Sequence, residues 1–195
     1  MILVTGSTGK VGQQLVTALQ HAGARFAALA RSEASAKDLA ARGVPVVRGD
    51  FGDGASMRQA LSGIERLFLL SSGADPFAAE AAAVAAARTA GVRRIVKLSA
   101  MGASADSSNS FLRGHGRIER MLDESGLLCT YVRPTFFMQN WVLYNAPAVR
   151  AGRAGHALDE RRDHGFAIRR DDRRHRFPAA DRPAPRRYRH CGSRW

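Results

Sequence analysis

The sequence predicts an α/β domain with a doubly wound parallel sheet, and three observations predict it. Short apolar runs alternate with helix-forming segments from the first residue to about residue 149. The first run leads into a turn with glycines at positions 6, 9 and 12, and a helical pattern follows at once. The length, 195 residues, suits one ordinary domain with an appendage.

Ile2 to Val4 is apolar without alternation, as expected of a strand buried on both faces. Gly6 permits a tight turn, Gly9 lets the backbone approach a ligand, and Gly12 lets the next helix pack close to the strand. Strand, glycine turn and helix together are the setting of a dinucleotide site in a Rossmann fold. The amides of Gly6, Ser7, Thr8, Gly9, Lys10, Val11 and Gly12 are then the expected seat of a pyrophosphate, helped by the positive end of the helix. Gly23 closes that helix, and Arg25 to Ala30 reads as the second strand. A site selective for NAD carries an acidic residue near this strand end, to grip the ribose 2′-hydroxyl. Here the residue is Arg31, whose guanidinium suits a 2′-phosphate. NADP(H) is therefore the expected cofactor and NAD(H) the lesser candidate; a solvated strand-end arginine is the plain alternative.

Ser35 to Arg42 predicts a short helix closed by Gly43, and Val44 to Val47 the third strand. Asp50, in the turn after it, is placed either to accept from an adenine amine or simply to shape the turn. Ala55 to Leu61 is helical, and Leu67 to Leu70 is a fourth, fully apolar strand. It runs into Ser71 and Ser72, at the carboxyl end of the sheet where open α/β folds bind ligands. An alanine-rich helix from Phe77 to Ala90 shows no interaction motif. The fifth strand lies within Val92 to Ser99, and Lys97 near its end either reaches the nicotinamide ribose or is solvated. A serine-rich loop, an amphipathic helix from Phe111 to Glu124 and a sixth strand from Leu127 to Val132 complete the pattern.

From Arg150 onward the composition changes. That segment holds 14 arginines, no lysine and six acidic residues, so it carries +8 of the net charge of +13. We divide the chain into a nucleotide-binding domain, 1–149, and a basic low-complexity tail, 150–195, whose structure is expected to be irregular, truncated or disordered. Arginine, proline, alanine and glycine codons interconvert when the reading frame of a GC-rich gene slips, which makes a frameshift one reading of the tail. A disordered basic arm making non-specific nucleic-acid contacts is another, and real structure without a readable pattern a third. Specific nucleic-acid recognition is not expected from charge that lies mostly in a tail. Two widely spaced cysteines, no leader-like N-terminus and no apolar run of the ~20 residues needed to span a bilayer point to a cytoplasmic protein without membrane contact.

Thr5-Gly6-Ser7-Thr8-Gly9-Lys10-Val11-Gly12 resembles the TGxTGxxG turn of the atypical short-chain dehydrogenases. Arg31, Gly49-Asp50-Phe51, Leu69-Leu70-Ser71-Ser72, His115-Gly116-Arg117-Ile118-Glu119 and the run from Ser125 to Pro134 are similar to the NmrA-like branch in order and spacing, and within it to the NAD(P)H:quinone oxidoreductase and azoreductase type. The resemblance spans residues 1 to about 149. It implies NADP(H) held by the glycine turn, Arg31, Ser71, Ser72 and the segment from Tyr131 to Phe137, including Pro134, Thr135 and Phe136.

Short-chain dehydrogenases commonly use a Tyr-x-x-x-Lys pair, yet none of Tyr131, Tyr144 and Tyr188 has a lysine four residues on. Quinones need less acid help, because hydride addition leaves a phenolate-like anion of pKa about 10. The expected function is thus an NAD(P)H-binding oxidoreductase that reduces quinones or similar flat small molecules. A non-catalytic NADP(H)-sensing regulator and an inactive truncated paralogue are the alternatives. His115 is the candidate acid: Glu119 lies one helical turn on, and pairing would raise the imidazole pKa. A surface ion pair, or a histidine that frames the pocket, is the plainer reading. Phe136, Phe137 and Met138 either wall an apolar pocket or pack in the core. The histidines show no metal-ligand spacing.

Overall fold

A computed structural model of the chain describes residues 1–71, 75–135, 137 and the strand at 167–170. β1 (Ile2–Val4), β2 (Phe26–Ala30), β3 (Val46–Arg48), β4 (Arg66–Leu69), β5 (Arg94–Leu98) and β6 (Leu128–Arg133) are parallel to one another, and β7 (Ala167–Arg170) is antiparallel to β6. The strand order is β3-β2-β1-β4-β5-β6-β7. The order reverses between β1 and β4, and a crevice opens at the carboxyl ends of those two strands. β7 comes from the arginine-rich segment and adds an edge strand to the expected parallel sheet.

Alternate residues of the buried strands feed two cores. Leu3, Ala27 and Leu29 join Met57, Val84, Ile118 and Leu122 on one side. Val4, Ala28 and Ala30 join Val16 and Leu39 on the other. Among the described residues five helices supply the outer layers: α1 (Lys10–His21), α2 (Glu33–Ala41), α3 (Gly54–Ala60), α4 (Pro76–Thr89) and α5 (Ser110–Glu124). Four have a side-chain cap. Ser32 and Ser35 form a reciprocal capping box on α2, so that helix starts two residues before the expected Ser35. Asp53, Asp75 and Asn109 cap α3, α4 and α5. β3 starts later than expected, at Val46, because the Val44 amide closes α2 on Leu39 O at 3.1 Å and Pro45 has no N–H to give. No described helix is long and apolar enough to cross a membrane.

α1 differs. Its N-cap is Gly9, and no side chain caps it. It also sits against the turn as closely as a backbone can. A Cβ at Gly12 would lie 2.1 Å from Gly6 O, and Gly6 itself turns with φ +62°. Gly12→Ala must therefore displace helix or turn, and we expect a loss of at least about 2 kcal/mol in denaturant unfolding, the range typical of overpacking.

Candidate functional site

The first five residues of the chain end in Thr5, whose fully buried hydroxyl stitches β1 to β4. Its Oγ1 lies 3.0 Å from Phe68 O and 2.8 Å from Leu70 O, and accepts the Leu70 N–H at 2.9 Å. Ser7 is also buried, and its hydroxyl donates to Leu29 O of β2 at 3.1 Å. Both hydroxyls are thus used to brace the turn between its neighbouring strands. What remains for a ligand is the main chain. The Gly9 amide closes the turn on Gly6 O at 3.0 Å, and a Cβ at Gly9 would meet nothing else within 4 Å, so the outer side of the turn is open.

This turn forms one wall of a cleft of about 380 Å³. Gly6, Ser7, Thr8, Arg31, Asp50 and Ser71, all singled out in the sequence, line it together. Gly9, Lys10, Val11 and Gly12 stand behind the wall as the start of α1 and are not part of the lining. Leu29, Gly49, Phe51 and Leu70 line it as well, and so do Ser32, Ser35, Gly52, Asp75 and Ala79, which the sequence reading does not single out as site residues. Arg31 is exposed at the rim, and among the described residues nothing engages its guanidinium. Asp50 does shape its own turn: Oδ1 accepts the Gly52 N–H at 2.9 Å, while the other carboxylate oxygen has no partner among the described residues. An open glycine turn and an unengaged arginine in one crevice, with an uncapped helix end directly behind the turn, fit the adenosine and pyrophosphate portion of a dinucleotide. Ser72, Phe136 and Met138 lie outside the described residues, as do residues 150–166 and 171–195.

Lys97 is fully buried and lies outside the lining. Its Nζ is 2.7 Å from Glu80 Oε2 and donates to Leu98 O at 2.8 Å. Neither the expected ribose contact nor solvation describes it here: it is half of a buried ion pair between β5 and α4. Burial pushes Glu80 above and Lys97 below their ordinary pKa ranges, against their mutual attraction. Glu80 also accepts from the Ser71 hydroxyl at 3.2 Å, and that hydroxyl lies 2.8 Å from Pro76 O. The pair thereby reaches the edge of the cleft. One signal was available in the sequence: Glu80 is the only charge among the alanines of mid-α4, and Lys97 the only charge inside Ile95–Leu98.

The expected His115–Glu119 pair requires correction. Glu119 accepts from the Ser99 hydroxyl at 2.5 Å and is held by the Arg133 guanidinium through both carboxylate oxygens. His115 is buried instead between the edges of Phe77 and Phe111, with ring centroids 5.1 and 4.6 Å away. Its Nδ1 has no hydrogen-bond partner among the described residues. Burial, and secondly the Lys97 charge, lower its pKa to about 3, opposite to the expected direction. The imidazole is therefore neutral near pH 7. Pro134, after β6, is buried and its carbonyl accepts the Met101 N–H at 2.9 Å; Thr135 is half-buried, and neither lines the cleft. The Tyr131 hydroxyl is turned away from the cleft and donates to Asp123 Oδ1 at 2.6 Å. Among the described residues no cluster of three or more His, Cys, Asp or Glu is placed to hold a metal ion.

His115 generates a pH dependence whose sign follows from that lowered pKa. The unfolded chain takes a proton at about 6.5 and the folded chain does not, so acid favours unfolding. Stability is expected to fall below pH 6.5 by up to about 1.4 kcal/mol per pH unit until the folded pKa is reached. His115→Phe should flatten the denaturant midpoint measured between pH 7 and pH 5, leaving the slope of the other groups.

Comparison with known proteins agrees with this geometry. The NAD(P)H-binding family matches residues 6–172. The NAD(P)H azoreductase of Xenophilus azovorans is 40% identical over 151 residues, which cover 77% of this chain and 52% of the relative. The (4-alkanoyl-5-oxo-2,5-dihydrofuran-3-yl)methyl phosphate reductase of Streptomyces griseus is 38% identical over 160 residues, covering 81% and 55%. The NADPH-dependent quinone oxidoreductase of Escherichia coli, solved with NADPH, superposes with a TM-score of 0.71 at 31% identity, covering 78% of this chain and 55% of that one. The chain thus spans about half the length of the relatives it matches. With the glycine turn, the switch-point cleft and the family match in agreement, the chain belongs to the NAD(P)H-binding family.

Proposed function

We propose that the protein is an NADPH-dependent reductase acting on quinones or similarly flat, conjugated acceptors, and that the described residues form its cofactor-binding half. The observation that carries this reading is the glycine turn, through Gly6, Ser7 and Thr8, lining the same cleft as Arg31, with the uncapped start of α1 following directly on that turn. The main chain of the turn at Gly6, Ser7 and Thr8, backed by the positive end of α1, would hold the pyrophosphate, Arg31 with Ser32 the 2′-phosphate, and Asp50 the adenine amine. Ser71, kept in place by Glu80, marks the side toward which the nicotinamide ribose would run. When bound, the nicotinamide supplies a hydride; the chain contributes orientation and exclusion of alternatives. Similarity to an azoreductase and a quinone oxidoreductase supports an acceptor that tolerates hydride addition without a strong acid. His115 is neutral at pH 7, so water is the proton source this reading favours, with His115 the residue to replace in testing it.

The arginine-rich segment is read as lying outside this cofactor-binding function, and a slipped reading frame as its origin. Resequencing the gene across the codon for Arg150 tests that origin; an unbroken frame through it removes the idea.

Wild-type protein should oxidise NADPH in the presence of a quinone, followed at the nicotinamide absorbance. Tight NADPH binding without turnover would favour a regulatory protein. Arg31→Ala is expected to weaken NADPH by about tenfold or more, the scale of a charge-assisted phosphate contact, and NADH far less. Equal loss for both nucleotides would remove Arg31 from the 2′-phosphate.

A further inference from the structure

Next to Arg31, and outside the cleft lining itself, stands an ion pair that the functional reading does not use. Arg48, the last residue of β3, lies opposite Ala30 in the β2–β3 ladder, which brings it beside Arg31. One guanidinium nitrogen, Nη1, is 2.5 Å from Glu33 Oε2, and the other, Nη2, donates to Arg31 O at 3.1 Å. Glu33 is the first residue of α2, two positions after Arg31, in a rim where Arg31, Ser32 and Ser35 face the cleft. An acidic side chain there has an ordinary attraction for the positive end of α2. It is also the wrong sign for a neighbour of a 2′-phosphate. Left alone, its carboxylate would either repel that phosphate or draw in Arg31. Lys37, one turn along α2, is the other basic side chain on that helix within reach of it.

We propose that Arg48 is a specificity-determining residue: it occupies Glu33 and anchors the Arg31 main chain, so that the Arg31 guanidinium is left to recognise a 2′-phosphorylated dinucleotide. This inference rests on the nucleotide reading above. As an isolated surface pair, Arg48–Glu33 has little to give to stability, since both side chains are at least half exposed. Its effect is felt instead when a phosphate with close to two negative charges arrives beside it. Two coupled consequences follow. Removing Arg48 exposes a carboxylate to that charge and frees the Arg31 carbonyl, and both act on the phosphorylated nucleotide alone. Removing the Glu33 charge as well cancels the repulsive part.

The test uses the full chain and equilibrium titration with four probes: NADPH, NADH, 2′,5′-ADP and 5′-AMP. The last two report the adenosine end without the nicotinamide. Arg48→Ala is expected to weaken NADPH and 2′,5′-ADP by about five- to tenfold, the scale of one unscreened charge at the rim, and to leave NADH and 5′-AMP within about twofold. Adding Glu33→Gln to Arg48→Ala should recover most of the loss, and Glu33→Gln alone should leave NADPH as tight or tighter. Circular dichroism and the unfolding midpoint check that each variant keeps the fold. The inference is overturned if Arg48→Ala leaves NADPH unchanged, if it weakens both nucleotides alike, or if Glu33→Gln fails to restore binding, which would make Arg48 a direct phosphate ligand or a purely structural residue. Tight NADPH binding by the wild type alongside any of these results keeps the nucleotide reading and discards only the role of Arg48. A wild type that binds none of the four probes discards both.

Discussion

The closeness of α1 to the turn before it governs the rest of the site. With Gly12 seated against Gly6 O, helix and turn leave no room for even a methyl group between them. Thr5 and Ser7 then fix the turn from either side, one to β4 and the other to β2. The result is a set of main-chain donors held at the point where the sheet reverses its order, with no side chain among the described residues capping that helix start. That is preorganisation by backbone. Its rigidity comes from buried hydroxyls and missing methyl groups rather than from charged contacts.

Charge is concentrated elsewhere. Glu80 with Lys97, and Glu119 with Arg133 and Ser99, form two buried or half-buried polar clusters toward the carboxyl ends of β5 and β6. Breaking a buried pair by removing one partner leaves an uncompensated charge, which costs more than the pair itself contributes. Such clusters therefore constrain the positions of α4 and α5 relative to the sheet. α5 is additionally drawn in by Gly116, where a Cβ would lie 2.1 Å from the Ser104 carbonyl carbon. His115 is placed by this packing, between two aromatic rings and facing no acidic partner.

Much of this was legible in the residues. The parallel strands, the five helices and the glycine turn follow from local pattern, because buried parallel strands and helix caps are short-range signals. The cleft brought Gly6, Ser7, Thr8, Arg31, Asp50 and Ser71 together as expected. What escaped depended on partners distant in sequence. His115 and Glu119 do share a helix, but Arg133 and Ser99, on different strands, claim the carboxylate. Lys97 looked like a strand-end cation, and only the topology shows α4 delivering Glu80 to it. Arg48 had no distinguishing pattern at all; it matters through the β2–β3 register. β7 was invisible for a different reason, since its two arginines carry none of the apolar signal of a buried strand.

That strand has a consequence for how the chain is made. β6 is complete at Arg133, yet the strand that covers its outer edge begins only at Ala167. During synthesis on the ribosome, Leu-Cys-Thr-Tyr-Val-Arg is made before this antiparallel partner, which follows only once the nascent polypeptide has reached residue 167. An open, largely apolar edge is a template for pairing with another copy. A chain shortened ahead of residue 167 would lack β7 and with it this protection of the β6 edge.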